Sequence, residues 1–220
     1  SSSSVTSIKT KKQTNMSWFS NFLTSSIGRK LIMSLTGLFL IIFLVVHLAG
    51  NLQLLYADEG KAFNLYAEFM TTNPIIKTVS YGLYAFILLH AVQGIIIWRK
   101  NKAARGGQDY AMREVKTVGS HSFSARNMAW LGIIIFVFIL IHMYQFWLQM
   151  KLDYLPYVTY DGQEVKNLYT PVKSVFANPG FVLFYIASMV VIAFHLNHGF
   201  QSSFQTLGLN HRKYTPLIKF

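Results

Sequence analysis

Residues 31–55 read LIMSLTGLFLIIFLVVHLAGNLQLL, a run without Asp, Glu, Lys or Arg. As a helix rising 1.5 Å per residue it is ~36 Å long, enough to cross the ~30 Å hydrocarbon layer of a bilayer. Three further segments, 75–98, 127–150 and 179–203, have the same character, and only Lys77 interrupts them. So many long apolar runs exceed what a soluble core needs. With 52% hydrophobic and 13% charged residues among 220, the chain reads as an all-α membrane protein, a transmembrane helical bundle of four spans.

The first span begins too far in, and is too long, for a cleavable signal peptide, and no small-residue cleavage motif follows it. The polar stretch 1–15 is expected to be a disordered leader, leaving 16–220 as a single membrane domain. Zero cysteines exclude disulfides, thiolate metal sites and iron–sulfur clusters carried by the chain itself.

The net charge of +12 is sorted along the chain. Lys9, Lys11, Lys12, Arg29 and Lys30 precede the first span. Arg99, Lys100, Lys102, Arg105, Arg113, Lys116 and Arg126 fill the second connection, and Arg212, Lys213 and Lys219 the tail. The other two connections carry most of the acids: Asp58, Glu59, Glu68, Asp153, Asp161 and Glu164. The positive-inside rule then puts both termini and residues 99–126 in the cytoplasm. Charge sorted by membrane side accounts for the basic balance, so no nucleic-acid partner is expected. Tyr154, Tyr157, Tyr160 and Tyr169 read as interfacial anchors.

Each span holds a histidine: His47, His90, His142 and His195. Spans 1 and 3 run outward, and His47 and His142 fall ~24 Å from the cytoplasmic face. Spans 2 and 4 run inward and end near 98 and 203, so His90 and His195 fall ~12 Å from that face. Two histidines share an outer layer and two an inner one. Gly37 and Gly132 precede the outer histidines at one spacing, and Gly94 and Gly199 follow the inner ones at another. Gly37 and Gly132 reach the inner layer from the helices that carry no ligand there. Glycine admits close approach of a flat ring to the backbone.

The layering points to two bis-histidine haems, His47 with His142 and His90 with His195, forming an electron path across the membrane. A single buried histidine would instead serve as an interhelical hydrogen-bond partner. A zinc site would need three or four ligands at one depth. A proton-coupled transporter would ordinarily keep an acid inside a span. His198, three residues past His195, is a competing ligand, or a hydrogen-bond partner for a haem propionate or quinone. His121 and His211 read as solvated.

The segments SSIGRKLIMSLTGLFLIIFLVVHLAGN (25–51), LLHAVQGIIIW (88–98), IHMYQFW (141–147) and FHLNHGFQSSFQTLGL (194–209) resemble a known family. It is the dihaem cytochrome b membrane anchor of succinate:quinone oxidoreductases (succinate dehydrogenase and quinol:fumarate reductase) of the single-anchor bacterial type. The resemblance spans residues ~20–220 and implies the same ligand pairing, with His195 preferred over His198 because Gly199 follows it by four. It further implies two haems b, menaquinone as lipid-soluble substrate, and location in a bacterial inner membrane. The implied partners are an FAD flavoprotein and an iron–sulfur subunit docked on the cytoplasmic face; the dicarboxylate chemistry belongs to them.

Glu68 is the candidate proton acceptor of a quinone site near the outer pair, with Glu59 and Asp58 as alternatives. Arg29, Lys30, Ser34, Arg126 and His198 are candidates to meet inner-haem propionates, although Arg29 and Lys30 also suit snorkelling anchors. The family has a fifth span, and Pro216 with the residues after it reads as the first turn of such a helix beyond residue 215. Two other readings stay open: a dihaem cytochrome b of another membrane oxidoreductase, of hydrogenase or formate dehydrogenase type, and a histidine-containing transporter.

Overall fold

The computed structural model describes residues 18–104, 123–209, 213 and 215–218. The leader expected over 1–15, His121, His211, Lys219 and the Arg105, Arg113 and Lys116 part of the basic connection lie outside them, as does the Arg126 side chain. In chain order the elements are α1 (Trp18–Thr24), α2 (Ser26–Asn51, prolonged by a 3-10 turn Leu52–Leu55), α3 (Lys61–Thr72), α4 (Pro74–Ala104) and α5 (Phe123–His142). A π turn, Met143–Trp147, leads into α6 (Leu148–Lys151); then follow β1 (Tyr157–Tyr160), β2 (Gln163–Lys166), α7 (Tyr169–Phe176), α8 (Pro179–Thr206) and the single turn α9 (Thr215–Ile218).

Four helical stretches are long and apolar enough to cross a membrane: Ser26–Leu55, Pro74–Ala104, Asn127–Lys151 and Pro179–Thr206. They agree with the sequence reading, the first beginning five residues earlier than 31. A helix is the natural state of such segments in lipid, because it satisfies every interior backbone group within the segment. Their starts are fixed by side chains. Ser25 Oγ accepts the Gly28 N–H at 3.0 Å, Asn73 Oδ1 accepts the N–H groups of Ile75 and Ile76, and Asn178 Oδ1 accepts the Gly180 N–H at 2.8 Å. Each satisfies donors that a helix N-terminus leaves orphaned. Gly28 is forced by the corner between α1 and α2, where a β-carbon would run into the Phe22 carbonyl.

The helices form a ring in which α2 packs on α4, α4 on α5, α5 on α8 and α8 on α2. Among the described residues the diagonals α2/α5 and α4/α8 have no comparable helix-to-helix packing. Outward faces are large and apolar: Ile42, Val45, Leu48, Leu88, Val137, Leu140, Leu183 and Ile186 are all exposed. A continuous apolar belt of this kind suits lipid and not water.

One end of the ring is capped by α3, the β1–β2 hairpin and α7; the other, basic end carries Arg29, Lys30 and the Arg99–Lys102 stretch. The capped-end connections are structured, and the sequence carries two signals of this. Asp161 and Gly162 have φ of 51° and 85°, the positive pair that a two-residue type I′ hairpin demands and that Asp-Gly supplies. Around that turn Tyr157 pairs with Lys166 and Tyr160 with Gln163. Likewise the apolar spacing of Phe63, Tyr66, Ala67 and Met70 suits one face of α3.

The tyrosines of this end differ in their surroundings. Tyr154 and Tyr157 are exposed, whereas Tyr160 and Tyr169 are half-buried and make contacts within the cap. Tyr160 Oη receives a hydrogen bond from Asn64 Nδ2 at 3.0 Å. The Tyr169 ring fills the space a β-carbon would take at Gly60, whose φ is +85°.

Two ion pairs tie the hairpin down: Lys61–Asp161 at 2.7 Å and Lys166–Asp153 at 2.8 Å. The Lys166 ammonium, and next the Tyr157 hydroxyl, hold the Asp153 carboxyl below its usual range. The hydrogen bond to Asp153 in turn raises Lys166. A depressed carboxylate contributes above its ordinary pKa and loses that contribution as pH falls through the lowered value. A raised lysine contributes below its ordinary pKa and loses it as pH rises through the raised value. The two windows overlap across neutrality. Proteolytic cleavage of the hairpin is therefore expected to be flat between about pH 5 and pH 9 and to accelerate on both sides. A slope through neutrality, in a cleavage assay corrected for protease activity, would contradict this.

Candidate functional site

The four span histidines meet inside the ring, in the pairs the sequence predicted. His47 on α2 faces His142 on α5, ring centroids 5.7 Å apart and planes at 90°. His90 on α4 faces His195 on α8 at 6.4 Å and 68°. Both pairs bridge diagonals, so the side chains reach across the centre from helices that do not otherwise pack together. His47 and His142 lie toward the capped end, His90 and His195 toward the basic end.

An internal repeat underlies this placement. Met33, Gly37, Phe43 and His47 on α2 recur at identical spacing as Met128, Gly132, Phe138 and His142 on α5. His90 and Gly94 on α4 recur as His195 and Gly199 on α8. The geometry repeats as well. Phe43 stacks on His47 at 5.4 Å and 24°, and Phe138 on His142 at 5.7 Å and 23°. A β-carbon at Gly37 would come within 3.2 Å of His90 Cε1, and one at Gly132 within 3.6 Å of His195 Cε1. The two glycines therefore do reach the inner layer, bringing the backbones of α2 and α5 against its imidazoles. Gly94 and Gly199 take up methionine instead: the Met33 and Met128 methyls would lie 3.2 and 3.6 Å from β-carbons there. The sequence reading found the glycines and histidines of the repeat and missed its methionines and phenylalanines.

Hydrogen bonds set the histidine tautomers. Thr36 Oγ1 lies 2.7 Å from the Ile32 carbonyl, an acceptor only, so its single proton points there. It can then only accept from His90 Nδ1, 3.1 Å away. Tyr185 Oη donates to Gln145 Oε1 at 2.6 Å, and so accepts from His142 Nδ1 at 3.3 Å. With Nδ1 carrying the proton, Nε2 keeps its lone pair free to bind a metal. Gln145 belongs to the π turn that follows His142, a distortion frequent at functional sites. Thr36, Tyr185 and Gln145 were missed in the sequence. Their signal is a polar side chain inside an apolar span, where it needs a partner.

The remaining candidates fall at the two ends. Arg29 bridges α2 to α4, its Nη1 donating to Gln93 Oε1 at 3.3 Å and its Nε to the Thr24 carbonyl at 3.0 Å. It is thus held beside the residue preceding Gly94. Lys30 is exposed, Ser34 is buried, and His198 is partly buried one turn past His195. At the capped end Glu68 lies within α3 and not in a loop, partly buried and within the electrostatic reach of Lys166. Asp58 is engaged as the cap of α3, its carboxylate accepting the Gly60 and Ala62 N–H groups at 3.0 and 2.8 Å. Glu59 sits in a left-handed turn at φ 54°.

The donor set limits what each pair can hold. Among the described residues no three His, Cys, Asp or Glu side chains converge on one point, so a bare ion would be short of ligands. A macrocycle that brings four in-plane donors needs only two axial nitrogens. Metal–imidazole bonds of ~2 Å on opposite sides of one metal put ring centroids on the order of 6 Å apart, close to both observed separations. No family model, curated protein or solved structure matches the chain.

Proposed function

We propose that the chain is the membrane-anchor cytochrome b subunit of a bacterial succinate:quinone oxidoreductase. In this reading it passes electrons between a membrane quinone, menaquinone, and a cytoplasmic FAD flavoprotein with its iron–sulfur subunit. The observation that carries it is the pair of facing histidine couples at two levels along one bundle. The sequence resemblance supplies the partner subunits, the quinone and the inner-membrane location.

Haem b, when bound, supplies a one-electron iron couple whose potential depends on its axial ligands and their hydrogen bonds. The chain's own residues hold and tune it. His47 and His142 serve the capped-end site, His90 and His195 the basic-end site. Two histidines at each site would hold the iron of a bound haem, which would supply one-electron transfer and leave no protein-free position for oxygen chemistry. Phe43 and Phe138 fix two imidazole planes by stacking, and Thr36 and Tyr185 fix two tautomers. Arg29, held at the basic end by Gln93, is the best placed cation for a propionate there. Glu68 is retained as proton acceptor for quinol at the capped end, whereas Asp58 is committed to capping α3.

The test is haem content and redox titration of the purified membrane protein. The expected result is two b-type haems per chain in a pyridine haemochrome assay, oxidised and reduced in two resolved steps. Protein that is folded and free of haem would overturn the proposal and return the histidines to structure or transport.

A further inference from the structure

The internal repeat breaks at one position that matters for the inner pair. Thr36 precedes Gly37 on α2, and Leu131 precedes Gly132 on α5. Both are buried, 4% and 6% exposed, and both neighbour a glycine against which an inner-layer imidazole lies. Thr36 gives His90 Nδ1 an acceptor at 3.1 Å. Leucine offers none, and His195 Nδ1 is buried without a hydrogen-bond partner, alone in this among side-chain atoms of the described residues. The two ends of one axial couple are therefore held differently by otherwise matching surroundings.

We propose that Thr36 is a positioning residue that makes His90 the stronger of the two inner axial donors and so sets the potential of the inner site, and that residue 131 is the matching, unused control point for His195. This rests on the haem reading above. The physical reason is that an Nδ1–H giving its proton to an acceptor moves electron density toward Nε2, making the imidazole a more basic ligand. A more basic axial ligand favours the oxidised iron and lowers the midpoint. The Thr36 hydroxyl is well suited to the role because its own proton is committed to the Ile32 carbonyl at 2.7 Å, which fixes the direction of the bond from His90.

The experiment is a redox titration of the haem-loaded full-length protein, wild type beside Thr36→Val, Thr36→Ser and Leu131→Thr. The inner step is identified as the one lost in His90→Ala. Thr36→Val is isosteric and removes the hydroxyl acceptor, leaving His90 only the Met33 carbonyl, so the inner step moves to more positive potential. Thr36→Ser restores the hydroxyl and returns it toward wild type. Leu131→Thr moves it to more negative potential by giving His195 the acceptor it lacks. Each removal or addition is expected to change the oxidised-to-reduced ratio at fixed potential by about tenfold, equivalent to 59 mV for a one-electron couple. The outer step stays where it is.

Loss of packing alone would not reverse sign between removing an acceptor at 36 and adding one at 131. If Thr36→Val fails to retain haem, Leu131→Thr still decides. Two haems with an inner step unmoved by Leu131→Thr, or by Thr36→Val that keeps haem, would overturn this inference and leave the electron-transfer reading standing. A wild-type protein without haem would overturn both.

Discussion

Replacing His195 by alanine is expected to lower the haem content from two per chain to one and to erase the redox step of the basic-end site, while His198→Ala keeps both haems. The two residues are three apart on α8 and therefore point within one turn of each other, so sequence spacing alone leaves them in competition. The structure separates them: the His195 ring faces His90 at 6.4 Å and lies against the backbone at Gly132. On the haem reading, loss of a ligand would cost more than loss of an outer partner, which costs roughly 10- to 100-fold in metal affinity. Electron delivery from quinol to a soluble acceptor would then fall steeply in His195→Ala, one of the two proposed haems being gone. In His198→Ala the basic-end step should shift without disappearing, because a polar, partly buried ring one turn from His195 is lost. Loss of the step in His198→Ala with its retention in His195→Ala would reverse the ligand assignment.

The histidine pairing was legible in the sequence because helix rise converts residue number into depth, and opposite chain directions put two histidines in each layer. The glycines were legible for the same reason. What escaped was lateral. Which helices sit diagonally, and which polar group touches which Nδ1, depend on helix rotation and packing, and the four spans are apolar nearly all round. Thr36, Tyr185 and Gln145 could be noticed as polar residues in apolar runs, but not matched to partners. The capped end is legible only locally: the Asp161-Gly162 turn and the helical spacing of α3 are short-range signals that charge and membrane depth do not carry. Asp58 looked like a free carboxylate because a capping role shows only once the helix behind it is recognised.

The cap has the largest structural lever outside the histidines. Asn64 is fully buried, at 0% exposure, and joins three elements of the cap. Its Nδ2 donates to Tyr160 Oη at 3.0 Å and to Asn167 Oδ1 at 3.1 Å, and its Oδ1 accepts the Tyr169 N–H at 3.0 Å. Asn64→Leu keeps the approximate volume and removes all three bonds; the Tyr169 N–H loses its acceptor, whereas Asn167 Oδ1 keeps the Thr170 N–H at 3.2 Å and half-buried Tyr160 can turn to water. A buried group left unsatisfied costs about 1–3 kcal/mol, so a loss of about 2–3 kcal/mol is expected. The spans themselves should remain helical, because none of their backbone bonds passes through Asn64. The expected readout is faster hydrogen exchange and proteolysis of the hairpin and α7, with a lower thermal midpoint and unchanged far-UV helicity. The site would feel it too. The α3 face of the cap rests on α2 one turn past His47, where a β-carbon at Gly50 would lie 2.6 Å from the Tyr66 ring. Loosening that contact admits water near His47 and His142 and not near His90 and His195. In the haem-loaded protein the capped-end step should therefore shift on Asn64→Leu while the basic-end step does not. Unchanged hairpin exchange would show that the cap does not depend on Asn64, and a shift of both steps together would show that it acts through the whole bundle.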